Sequence, residues 1–151
     1  MFWIKNLLYK VRDKVLALLG YKTVGARALV IKDNQVLLVK HTYMPQWHTI
    51  GGAVDKGETP REAVQRELKE EVGITCLTPP SLIGVYYHLL KGRYDYVIFY
   101  LVIQFTQEKV KSSEILESRW FYLDKLPSDA SAATKKRVEE YLKIREQSEN
   151  W

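Results

Sequence analysis

"GGAVDKGETPREAVQRELKEEVGI", residues 51–74, decides how this chain is read. Thr59-Pro60-Arg61-Glu62 writes a helix start: Thr59 as N-cap, Pro60 in the first helical position, and Glu62 closing a capping box. Gly73 supplies the left-handed stop. At about 100° per residue, setting Glu67 at zero puts Glu71 near +40° and Glu70 near −60°. Val64, Leu68 and Val72 then fall at roughly +60°, +100° and +140°. An apolar stripe therefore enters the core, and three carboxylates lie along its edge. Like charges there lose solvation and repel, and a hard divalent cation relieves both penalties. Arg66 and Lys69 offer a blander remedy by pairing with their neighbours on a solvated face.

Outward from the helix, the chain alternates strand patterns with turn signals. "TVGARALVI" and "VLLVK" read as strands joined at Asp33-Asn34, and "HTYMPQWHTIGG" as a loop or short strand. Ile74–Leu77, Leu82–Leu90 and Tyr94–Phe105 follow as strands, and within the last the run "YVIFYLVIQF" (96–105) is so apolar that burial on both faces is expected. "SRWFYL" reads as one more strand. "ASAATKKRVEEYLKIREQ" reads as a closing helix that buries Val138, Tyr141 and Leu142. The pattern predicts an α/β fold, a mixed sheet with helices packed against it.

With 151 residues, 46% of them hydrophobic, the chain suits one domain with a sizeable core. The single cysteine, Cys76, cannot form an internal disulfide, which fits a cytoplasmic protein, and it reads as a buried inert thiol. The net charge of +5 is concentrated in residues 1–22, where five basic side chains face Asp13 alone. The rest carries a surplus of one, so no nucleic-acid footprint is expected. Residues 1–20 form a separate amphipathic helix by pattern, with Ile4, Leu7, Leu8, Val11, Val15 and Leu18 on one face. Through residues 2–19 it would dock on its own domain, on a second subunit as a homodimer, or on anionic lipid as a peripheral contact.

Gly52, five residues, Glu58, seven residues, and then Arg66-Glu67-Leu68-Lys69-Glu70-Glu71-Val72-Gly73-Ile74 resembles the complete box of the Nudix hydrolases. The flanks "VLLVKHTY", "QWHTIGG" and "RWFYLDKLP" resemble the family too, so the domain is expected over 21–151. Ile50 departs from the pattern, since many members have proline there. The resemblance implies an α/β/α sandwich and Mg2+ or Mn2+ bound on a diphosphate. It implies Glu67, Glu70 and Glu71 as metal ligands together with the Gly51 carbonyl, and Gly52 against the substrate. It gives Arg66 the role of holding a glutamate and Glu58 a supporting one. A further carboxylate from a later loop is expected, Glu114 before Glu117 or Glu108. On that resemblance, Glu70, Glu114 and Arg66 are the expected catalytic set.

The implied reaction is water attack on a phosphoanhydride in a nucleoside diphosphate joined to another moiety, with a glutamate taking the proton. The partner would be a small nucleotide or other diphosphate. Trp47, Tyr43, Tyr86 and Tyr87 are the candidates for stacking on a base, Trp47 and Tyr43 foremost, weighed against a plain core role. His41, His48 and His88 read as structural or surface residues. The proline and tyrosine that mark two known subfamilies are missing around Leu89 to Gly92. The alternative is a Nudix-fold module that senses a nucleotide without turnover. An isomerase on this fold would need a catalytic cysteine, and Cys76 is badly placed.

Overall fold

The computed structural model describes Val11, Lys14, Val15 and residues 18–151. The helix expected over 1–20 thus falls largely outside the described residues. Its described apolar side chains, Val11, Val15 and Leu18, are exposed.

Strand β1 (Lys22–Lys32) is the axis of the fold. Its side chains alternate between two cores, as a pleated strand requires. Ala26, Ala28 and Val30 face the first core, while Leu29 and Ile31 face the second. Asp33 and Asn34 have φ of 49° and 60°, the paired left-handed residues of a two-residue hairpin, and β2 (Gln35–His41) returns antiparallel. After β3 (Met44–His48), strand β4 (Ile50–Ala53) runs antiparallel to the first half of β1. Helix α1 (Pro60–Val72) follows, then β5 (Ile74–Cys76) and β6 (Ser81–Leu90). Strand β7 (Arg93–Val102) lies parallel to β1 and antiparallel to β6. Strand β8 (Phe105–Gln107) precedes β9 (Ile115–Tyr122), which pairs with β2, and α2 (Ala132–Tyr141) follows. The result is a mixed seven-stranded sheet with α1 in the first core and α2 in the second. This is the expected α/β sandwich.

Three expectations are corrected by packing. The predicted strand Tyr94–Phe105 breaks at Ile103-Gln104, because Phe105–Gln107 pairs with β5 instead. That ribbon satisfies the end of α1: Glu108 N–H donates to the Gly73 carbonyl (3.0 Å) and the Gln107 amide to Val72 (3.1 Å). Burial on both faces also fails at the two ends of the run 96–105, where Tyr96 and Ile103 are exposed. Finally, α2 stops at Tyr141, which is 37% exposed, and buries Thr134 and Arg137 beside Val138. Cys76 is half-buried, and burial pushes its thiol pKa up.

Candidate active site

Helix α1 starts as the sequence dictates. The Thr59 hydroxyl accepts from the Glu62 N–H (3.2 Å), and the Glu62 carboxylate accepts from the Thr59 N–H (2.8 Å). Gly73 closes the helix with φ 70°. Ala63, Val64, Leu68 and Val72 are buried in the first core, so the apolar stripe is the predicted one, widened by Ala63. That rotation fixes where each glutamate points.

Arg66 is the hub of the loop and helix. Its Nε donates to Glu58 Oε1 at 2.8 Å, its Nη2 to the Ala53 carbonyl at 3.1 Å, and its Nη1 to Glu67 Oε1 at 2.8 Å. Glu58 returns the loop by accepting from the Asp55 N–H at 3.0 Å. These bonds hold the Arg66 guanidinium well above its ordinary pKa and the Glu58 carboxyl below its own. Arg66 therefore positions Glu67 and fastens the glycine turn to the helix. A Cβ on Gly52 would lie 2.5 Å from Glu67 Oε1, so only glycine lets the turn come this close to that carboxylate. Gly51, with φ 141°, is pressed against β1, where a Cβ would meet the Ala26 carbonyl oxygen at 2.2 Å.

Glu71 is the unusual member. It is only 7% exposed, it accepts from the Gly51 N–H, and its Oε2 is buried without a hydrogen-bond partner. Burial first, then the Glu67 charge, pushes its pKa up to about 8, with Glu114 adding in the same direction. Burial raises Glu67 as well, against the pull of Arg66. Glu70 is the exposed one, 3.5 Å from Arg66 Nη1. No three carboxylate or imidazole groups close into a cation cage among the described residues. The donors nonetheless fit a hard cation: oxygen ligands only, a buried orphan oxygen on Glu71, and a carboxylate and glycine turn in direct apposition.

Glu114 stands just before β9, where its carbonyl accepts from the Thr42 N–H (2.9 Å). Its charge reaches Glu67, Glu71 and Tyr43, so the fold brings it to the same cluster. The two rivals are engaged elsewhere, Glu108 with Lys69 at 2.8 Å and Glu117 with Arg119. Tyr43 borders the cluster with an exposed ring, 5.1 Å from that of His41. Trp47 does not. It is 3% exposed, edge-on to Phe121 at 4.8 Å and beneath Lys40 and Arg119, so its faces are taken by the second core. The expectation that Trp47 stacks on a substrate is corrected: β3 turns it inward.

Two neighbours escaped the sequence reading. Arg27 rises from β1 and donates to the Thr49 carbonyl at 2.7 Å. Burial lowers its pKa, while Glu71, Tyr43, Asp95 and Glu67 raise it. A lone cation inside "ARALVI" was the available signal. His41 was read as structural or surface. It is buried, with Nδ1 4.0 Å from Glu71 Oε1, and burial and Arg27 lower its pKa to about 4. It stands neutral beside the carboxylates and offers no charge to compensate them.

The comparisons agree with this geometry. The family model described as NUDIX domain matches residues 22–142. A Bacillus subtilis (strain 168) protein provisionally named an 8-oxo-dGTP diphosphatase is 31% identical over 79% of each chain. The ADP-ribose pyrophosphatase of Methanocaldococcus jannaschii is 32% identical over 71% of this chain and 66% of its own length. The crystal structure of a MutT NUDIX hydrolase from Burkholderia pseudomallei superposes with a TM-score of 0.70 at 31% identity, covering 78% of this chain and 96% of that one. With the full box held on a capped helix and its glutamates gathered beside the glycine turn, the chain belongs to the Nudix hydrolase family.

Proposed function

We propose that this Nudix hydrolase cleaves a phosphoanhydride bond in a nucleoside diphosphate linked to another moiety, using Mg2+ or Mn2+ held by Glu67, Glu70, Glu71 and the Gly51 carbonyl. The observation that carries the reading is Glu71, a buried carboxylate with an unpartnered oxygen and a pKa pushed up to about 8. A carboxylate kept in that state costs stability unless a bound cation compensates it. Such an ion would neutralise the diphosphate and acidify the attacking water.

The chain's own residues do the rest. Arg66 locks Glu58 and Glu67 and thereby the glycine turn against which phosphates lie. Glu70 or Glu114 would take the proton from water; the exposure of Glu70 and the reach of the Glu114 charge to Glu71 support that role. Tyr43 borders the substrate side. The pyrophosphatase names of relatives support anhydride cleavage as the reaction class. The test is phosphate or pyrophosphate release across a panel of nucleoside diphosphate and triphosphate derivatives, with Mg2+, Mn2+ or chelator. Turnover that needs the cation supports the reading. Tight nucleotide binding without turnover would support the sensing module instead.

A further inference from the structure

The α1 face of the sheet is covered over only part of its area. Register lays out its rows across β1, β7 and β6: Ala28, Tyr100 and Leu82, then Ala26, Ile98 and Val85, then Val24, Tyr96 and Tyr87, then Lys22, Tyr94 and Leu89. Directly paired residues share a face, and Ala26, Ala28 and Tyr100 sit in the first core with α1. Past the helix that face is bare. Leu82, Val85, Val24, Tyr96, Tyr94 and Leu89 are all exposed, Leu89 at 62%. The Tyr87 ring lies 6.4 Å from that of Tyr94 and 5.6 Å from that of Tyr96, which joins the rows into one surface. Soluble chains rarely leave an apolar face on the order of several hundred Å2 uncovered unless something binds it.

The chain enters β1 at the open end of that face. Lys22 pairs with Tyr94, and just before it Leu18, Leu19 and Tyr21 are exposed, Leu18 at 87%. Val11 and Val15, on the same helical stripe as Leu18, are exposed as well. Four residues separate Leu18 from Lys22, a span of at most about 14 Å, so the stripe and the bare face meet at one place. Cations gather there too. Residues 1–22 carry five basic side chains against Asp13, and Lys14 and Lys22 are both exposed. The outer edge of β6, by contrast, is closed by the chain's own tail. Tyr87 N–H donates to the Glu149 carbonyl (2.7 Å) and Trp151 N–H to the Tyr87 carbonyl (2.9 Å), while Arg137 holds the Asn150 carbonyl at 3.3 Å.

We propose that the bare sheet face and the segment before β1 form one contact surface for an anionic lipid bilayer. Leu18, Leu89, Tyr94 and Tyr96 enter the headgroup–acyl boundary, and Lys14 and Lys22 face the lipid phosphates. Three observations favour this occupant. The single chain leaves both the stripe and the face exposed although they adjoin, so it does not use one to cover the other. A second copy finds the β6 edge taken at Tyr87, and across the face it would set five basic side chains against five, a like-charge juxtaposition. A bilayer rich in acidic lipid supplies the opposite charge, and tyrosine suits its boundary, with an apolar ring and a hydroxyl left at headgroup level. No described helix is long and apolar enough to cross a membrane, so the contact is interfacial. It stands independently of the hydrolase reading, since none of these side chains belongs to the glutamate cluster.

The experiment uses the full chain with vesicles of phosphatidylcholine alone and of phosphatidylcholine mixed with phosphatidylserine. Flotation measures binding, and light scattering without vesicles measures the oligomeric state. The parent chain is expected to bind the mixed vesicles about tenfold or more tightly than phosphatidylcholine alone. Raising the salt from about 0.1 to about 1 M shortens the Debye length from about 10 to about 3 Å, and binding should fall about tenfold with it. Lys14→Glu, Leu18→Asp and Leu89→Asp change exposed side chains, so their melting curves should match the parent's. Each is expected to weaken binding to the mixed vesicles about tenfold. Equal binding to the two vesicles, or none to either, overturns the proposal. A Leu89→Asp chain that floats like the parent confines binding to the N-terminal segment and overturns the joint surface. A dimer that Leu89→Asp splits, with no flotation, gives the face to a second copy and overturns it as well.

Discussion

Two buried acids, Glu71 and Glu140, show what the two sides of this sheet are for. Glu140, on the α2 side, has every need met within the chain. Arg137 pairs with it, Tyr86 donates its hydroxyl at 2.9 Å, and Ser148 donates its N–H. Arg137 in turn lies 3.7 Å over the Tyr86 ring. Glu71, on the α1 side, receives the Gly51 N–H and feels the Arg27 charge, yet its Oε2 has no partner and Glu67 and Glu114 repel it. The neutral His41 beside it brings no relief. A buried charge that the chain satisfies is architecture. One left short of partners marks where something from outside is expected.

Substitution of each acid's surroundings should break the comparison in opposite ways. Glu71→Gln should reduce metal-dependent turnover about a thousandfold, about 4 kcal/mol of transition-state stabilisation. Without metal, its melting temperature should equal or exceed that of the parent, because repulsion with Glu67 falls. Near-normal turnover by a folded Glu71→Gln chain at saturating Mg2+ would end its assignment as a ligand. Arg137→Met should act the other way round. It strands Glu140 and is expected to cost about 3 kcal/mol in chemical denaturation, since removing one partner leaves an uncompensated charge. A loss below about 1 kcal/mol would place that pair among the weak ones.

Two smaller effects sharpen the contrast. Glu114→Gln should lower kcat about tenfold or more, roughly 1.4 kcal/mol, with less effect on KM. Glu117→Gln should be nearly silent, because Glu117 is paired with Arg119 at the surface. The reverse pattern in steady-state kinetics would move the role to Glu117. The smallest effect is on pH dependence. The folded pKa of Glu71, about 8, lies above its ordinary 4.5, so the folded chain binds more protons between those values and loses stability as pH rises. Burial and Arg27 depress His41 and His48 to about 4, which adds stability as pH rises toward 6.5 and nothing beyond. Between pH 6.5 and 8 the metal-free protein should therefore lose stability, by about 1–2 kcal/mol at most. Arg27, Glu67 and Glu114 face the same carboxylate, and removing the titrating group itself in Glu71→Gln should flatten the slope. An equally steep slope in Glu71→Gln, read by denaturant titration at each pH, would assign it to other groups.

The local parts of this protein were legible because their causes are local. The capping box at Thr59 and Glu62, the stop at Gly73 and the hairpin at Asp33-Asn34 depend on residues within a few positions of one another. The α1 stripe depends on helical period alone, and it placed Glu67, Glu70 and Glu71 along the edge of the buried face. What each glutamate meets there was decided by the tertiary structure. β4 lays Gly51 and Gly52 across Ala26 and Arg27, which leaves Glu71 buried and Glu70 in solvent. Trp47 and Tyr43 looked alike as aromatics near the glycines, yet β3 turns one into the second core and leaves the other outside. Phe105 left the long apolar run for β5, and Arg137 became a core residue because Glu140 and the tail enclose it. Periodicity records which side of an element is apolar. Which charges then share a space is set by strands far apart in the chain, and no local signal carries that.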